Sequence, residues 1–353
     1  MNNIKYGITA ICCGLSLSLV SEVSKAIPVT DLIEDFVPLP TEVVQGGCSL
    51  ANAKNQLAQL QEGLNAMGGN SVKTFGLGEN LRAEDDEAED MANNMSDTVK
   101  YALNTNIKAQ TALAEAGSAV DSAQQDIANS LVRKIESDMK LAFKEAPSNI
   151  YIAQNDITIS LEEEEEESVD VAAEQNKIDT LFNNVREKSK QLNTELNDTF
   201  DSTLNIMNQT ADMNHKSLAA LEKFLKSAKE ADADKLADLR VRVNDLMQRE
   251  QLISDRTVQA IENNKNQHNK DYQENIADGI NNYEKIILAY INGDVSKDEV
   301  LNAGSKLKQA VANSKTATTV SDSYKSEVTS IQKETLALAE EVKSLYGTGE
   351  QDS

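Results

Sequence analysis

Apolar residues recur every three or four positions along most of this 353-residue chain, and the places where the recurrence stops mark its elements. Leu50, Ala53, Leu57, Leu60, Leu64 and Met67 form one helical stripe, and Gly68-Gly69-Asn70 predicts its end. A second region, Ala83 to Glu145, opens with Glu84, Asp85, Asp86 and Glu87, acids suited to the positive end of a helix. Its stripe runs through Met91, Met95, Val99, Leu103, Ala116, Val120, Ala123, Ile127, Leu131 and Ile135, with Gly117 as a weak point and Pro147 as the stop.

From Val171 to Tyr346 helical signals dominate without a proline. Ile178, Leu181, Val185, Leu192, Leu196, Phe200, Leu204, Met207 and Ala211 share one face. Leu236, Leu239, Val243, Leu246, Ile253, Thr257 and Ala260 keep the alternating spacing of a heptad, which Glu250 breaks once. The pattern continues through Tyr272, Ile276, Ile280, Tyr283 and Ile287 to Asn292-Gly293. Ser296 with Glu299 spells a capping box for the next helix. A last stripe (Val320, Tyr324, Val328, Ile331, Leu338, Val342, Leu345) predicts a C-cap at Gly347. A single helix from Val171 to Asp278 would leave its stripe unpaired, so a reversal is expected near Asn208 to His215 or near Ala231 to Asp234.

Two stretches depart from helical spacing. Ile27 to Gly47 holds Pro28, Pro38 and Pro40 and reads as an extended arm. Ile150 to Ala153 and Ile157 to Leu161 flank Gln154-Asn155-Asp156, two short β-branched runs around a polar turn, which predicts a small β-hairpin over 150–161. Glu162 to Glu167 follows as six like charges, a solvated loop. The fold class is therefore all-α: an elongated antiparallel helical bundle or coiled coil with that one hairpin.

The beginning of the chain adds an address. Lys5 precedes the uncharged run Tyr6 to Val20, and Ser24 and Ala26 occupy the small-residue positions of a cleavage site, the pattern of a secretory signal peptide. The run is too short for a comfortable membrane span. The domain reading follows: signal peptide 1–26, arm 27–48, helical segment 49–146, hairpin and acidic loop 147–170, helical bundle 171–346, and a disordered tail 347–353. Cleavage leaves about 327 residues, enough for two ordinary domains or one elongated one. Cys12 and Cys13 leave with the leader, so Cys48 is the one mature cysteine, placed after Gly46-Gly47 in an expected turn, where it is either a thiol or an intermolecular bridge.

Composition narrows the function classes. There are 6 Phe, 8 Tyr and no Trp, so the core must be aliphatic and no stacking platform for single strands is expected. A formal charge of −24 repels phosphate backbones and anionic lipid, which argues against nucleic acid and membrane surfaces as partners. His215 and His268 stand apart from any metal-site spacing and are expected to face solvent. Gly76-Leu77-Gly78 lacks the third glycine of a dinucleotide loop, since Leu81 stands there. The acidic clusters lack the register of a calcium loop. No enzyme, cofactor or metal is expected.

Ala26-Ile27-Pro28-Val29-Thr30-Asp31, directly after a signal peptide, resembles the mature start of the pilus-tip minor pilins of P-type conjugation and type IV secretion systems. Asn55-Gln56-Leu57-Ala58-Gln59-Leu60-Gln61 resembles the Gln- and Leu-rich helix that follows in that family, and Gly68-Gly69 with Gly76-Leu77-Gly78 its glycine-containing segment. The resemblance covers Ile27 to Leu81. It implies an elongated helical bundle at a pilus tip that contacts a host or recipient cell, with no catalytic residues. The chain is longer than a usual member, and Pro38-Leu39-Pro40 and the hairpin fall outside the family pattern.

The resulting expectation is an exported, non-enzymatic interaction protein in the periplasm, at a pilus tip or outside the cell. Its partners would be pilus or envelope subunits or a cell-surface receptor, and it could self-associate as a homo-oligomer. Ile150, Ile152, Ile157 and Ile159 of the hairpin are the candidate partner contacts, because a polar rod offers few other exposed apolar patches. Capping the bundle is the competing role for the same residues. The competing classes are an α-helical pore-forming toxin with a β-tongue and a free periplasmic coiled-coil scaffold or chaperone.

Overall fold

The computed structural model describes residues 41–77, 85–145, 171–227, 233–316 and 322–346. The described residues form an all-α helical bundle fold: α1 Thr41–Leu77, α2 Asp85–Glu145, α3 Val171–Ser227, α4 Ala233–Asp271, α5 Asp278–Ile291, α6 Lys297–Asn313 and α7 Asp322–Tyr346. A six-residue π-helical turn, Tyr272–Ala277, joins α4 to α5 without breaking the helical run, and the Asp278 N–H donates to the Gln273 carbonyl five residues back. The hairpin expected over 150–161 lies outside the described residues, as do the leader, the tail at 347–353 and the Gly347 cap. No strand occurs among the described residues.

Two boundaries differ from the sequence expectation. The arm was expected to run through Cys48, yet α1 begins at Thr41 and carries Gly46-Gly47 as helix. The same helix passes Gly68-Gly69-Asn70 and ends at Leu77. Each glycine lowers helix propensity by roughly 1 kcal/mol, an effect tertiary packing overrides. Here the stripe between the glycine pairs is buried, with Leu50, Ala53, Leu57 and Leu64 all inside. Among the described residues only Gly293 has positive φ, 82°, and it ends α5 as the sequence expects.

Helices α3 and α4 run antiparallel, with Asn214 bonded to Glu250 and Leu225 to Arg240, so the reversal falls after Ser227 and before Ala233. Ala233 and Asp234 of the second expected site already belong to α4. Asn208 to His215 is helical throughout. The end of α3 is held by Arg240 of α4, whose Nε donates to the Leu225 carbonyl at 3.1 Å. A cation there satisfies an orphan carbonyl and complements the helix dipole.

The chain divides into two compact units. Unit 1 takes residues 1–48, 119–194 and 268–315 and hence, among the described residues, the start of α1, the second part of α2, the first part of α3, the end of α4 from His268, the π turn, α5 and α6. Its core joins Leu131, Val132 and Ile135 of α2 to Phe182 of α3, Tyr283 and Ile287 of α5, and Val300 and Leu307 of α6. Phe182 meets Tyr283 edge-on, with ring centroids 5.9 Å apart and planes at 77°. Gly304 lets α6 come close: a Cβ there would lie 2.9 Å from Val132 Cγ1 and 3.0 Å from the Tyr283 hydroxyl. Ser296 caps α6 with the reciprocal capping box that its spacing with Glu299 predicts.

Unit 2 takes residues 49–118, 195–267 and 316–353. Its interior is aliphatic and alanine-rich: Ala102, Ala109, Ala112 and Ala116 of α2 and Leu196, Phe200, Ile206 and Met207 of α3 are all buried. Small side chains of this kind let helices approach closely. Helices α4 and α7 run antiparallel, fixed by three ion pairs at seven-residue intervals: Arg242–Glu341, Arg249–Glu334 and Arg256–Glu327. The first two are fork-shaped, each guanidinium donating to both carboxylate oxygens. Their main effect is register, because exposed pairs contribute little stability.

Candidate functional site

Polar side chains inside the two bundles are the chemistry this fold places on the page. On α3 the hydroxyls of Thr199, Thr203, Thr210 and Ser217 are buried, and each donates to the carbonyl four residues earlier. That local bond satisfies the hydroxyl at small cost and keeps the helix intact. Two other buried groups titrate.

Glu250 occupies the heptad position where the sequence pattern breaks, and it is 5 % exposed in the interior of unit 2. Asn214 of α3 donates from Nδ2 to Glu250 Oε1 at 3.3 Å. The two remaining oxygens, Glu250 Oε2 and Asn214 Oδ1, are buried without a hydrogen-bond partner. Desolvation, first, pushes the Glu250 carboxyl up to about 7; the Asn214 hydrogen bond opposes that and Asp255 adds to it. Tyr324 of α7 lies in the field of Glu250, and burial, with that field added, pushes its phenol up.

His268 overturns the expectation of a solvent-facing ring. It is 6 % exposed in unit 1, one turn before the π-helical residues, while His215 is exposed as expected. Its Nε2 lies 2.8 Å from Asn193 Oδ1, an oxygen that only accepts, so Nε2 carries the proton. Burial lowers its pKa to about 4 against a smaller opposing effect of Asp271. The spacing Asn193…His268 carries no motif, because the pair forms across two helices.

The surface of unit 2 carries an open groove of about 400 Å³ lined by residues including His215, Asn244, Met247, Gln251, Leu252 and Asp255. Leu252 is 59 % exposed there. No cluster of three or more His, Cys, Asp or Glu side chains able to hold a metal occurs among the described residues. Nor is any described helix long and apolar enough to cross a membrane.

Of the residues singled out from sequence, Ile150, Ile152, Ile157 and Ile159 lie outside the described residues. Cys48 is placed, and differently from its expected turn: it is half-buried inside α1, because the helix starts seven residues before it. Sequence reasoning missed the arginine–glutamate ladder, although Arg242, Arg249 and Arg256 and, separately, Glu327, Glu334 and Glu341 repeat every seven residues. The break that Glu250 makes in the heptad carries its own signal, since an acid at a seam position is an acid in a core.

The fold and its interior define the chain as an all-α bundle protein. Comparison with protein-family models, curated proteins and solved structures gives no match.

Proposed function

We propose that this is an exported, non-enzymatic interaction protein, a minor pilin or adhesin-like component of a type IV secretion or conjugation apparatus. The observation that carries the reading is how the long helices are used: their apolar stripes and the seven-residue ion-pair ladder are committed to bundle packing. Packing of this kind gives each unit a helical body from which contact segments can project. The leader and the Ile27-Pro28-Val29 start supply the location and the apparatus.

In this reading the contact surface is the aliphatic segment around Ile150, Ile152, Ile157 and Ile159, as a small hairpin in an elongated antiparallel bundle. It meets a pilus or envelope subunit or a cell-surface receptor by apolar burial. Deleting residues 147–170 from the exported protein is expected to abolish recovery of its partner after cross-linking on intact cells, with the helical circular-dichroism signal kept. Unchanged partner recovery by the deleted protein would overturn the assignment of that segment.

A further inference from the structure

We propose that Glu250 and Asn214 form a proton-operated lock inside unit 2: one proton taken up on Glu250 Oε2 supplies the donor that Asn214 Oδ1 lacks, and the bundle tightens as the medium turns mildly acidic. A carboxylic acid and a primary amide are complementary through two hydrogen bonds in one ring. One of the two is present, Asn214 Nδ2 to Glu250 Oε1 at 3.3 Å. The second requires a hydrogen on a carboxylate that has none when ionised. The two oxygens it would join are both buried and both without a partner.

The surroundings favour the proton. Asn214, from α3, is neutral; Asp255, on the same helix, is an acid and raises the cost of charge on Glu250. From α7 comes the Tyr324 phenol, itself buried and held protonated by that burial. No cation acts on Glu250 among these neighbours. An ionised Glu250 is therefore a desolvated charge with one hydrogen bond, and such a group disfavours the folded state until it is neutralised.

The sign follows from linkage. The carboxyl holds its proton to about pH 7 in the fold, against about 4.5 for a solvated glutamate, so the folded state binds more protons than the unfolded one between those values. Stability of unit 2 rises as pH falls through 7 and levels off below the unfolded pKa.

The test is amide hydrogen exchange of the mature protein at pH 8 and pH 5.5, corrected for the intrinsic rate, read on peptides around Asn214 and Glu250. Protection in wild type is expected to rise on the order of 30-fold at the lower pH, by linkage across that interval. Glu250→Gln keeps the shape and removes the charge, so its protection is expected to be high at both pH values. A ¹³C-carboxyl titration of Glu250 should show a midpoint near neutrality. Equal pH response of wild type and E250Q, or a carboxyl midpoint in the ordinary glutamate range, would overturn the lock.

Discussion

Tyr283→Ala is expected to lower the stability of unit 1 by about 3–5 kcal/mol, the range for removing a fully buried aromatic ring. The ring is 1 % exposed, makes a T-shaped contact with Phe182 and lies close to Gly304. Helix α6 sits close to it because Gly304 has no Cβ, so little side chain is available to collapse into the vacated space. The phenol oxygen is buried with no hydrogen-bond partner. Tyr283→Phe should consequently be neutral or mildly stabilising, since it deletes a desolvated hydroxyl and leaves the ring. Denaturant unfolding of wild type and both variants checks the pair. A small loss for the alanine variant would mean that the interior is loosely packed.

Acidification is expected to remove roughly 3 kcal/mol from the same unit as pH falls from 6.5 to 4, through His268 alone. The imidazole is buried neutral with its pKa lowered to about 4, whereas an unfolded histidine takes up its proton near 6.5. Between those values the unfolded state binds more protons, so stability is full above 6.5 and is lost on the way to 4. His268→Gln, which can still donate to Asn193 Oδ1, should flatten that dependence. Amide exchange on residues 185–195 and 265–285 in both proteins at pH 7 and pH 4.5 separates this from other groups. An equal loss in H268Q would assign the acid sensitivity elsewhere. The sign is opposite to that of Glu250 in unit 2, so mild acid tightens one unit while it loosens the other.

Much of the fold can be read from apolar spacing. Met95, Val99, Leu103, Val120, Ala123, Ile127, Leu131 and Ile135 are all buried on α2, and their three-four recurrence alone puts them on one face. The Ser296 cap and the Gly293 stop are equally local, each needing only a few neighbouring residues. Where local signals misled, a distant contact was the cause. Glycine pairs did not end α1, because its buried stripe outweighs propensity. Asn208 to His215 is one of the two sites offered for the reversal, yet it stays helical: Thr210 bonds its own helix and Asn214 pairs with Glu250 thirty-six residues away. The buried His268 depends on Asn193 seventy-five residues before it. No period in the sequence announces either pair.

Every functional reading above requires that the chain leave the cytoplasm and be cleaved. Expressing it from Met1 in a bacterial host, fractionating the cells and determining the N-terminal sequence tests this most directly. The expected result is a protein recovered from the envelope or the medium that begins at Ile27. A cytosolic protein that still carries residues 1–26 would contradict the exported contact protein described here.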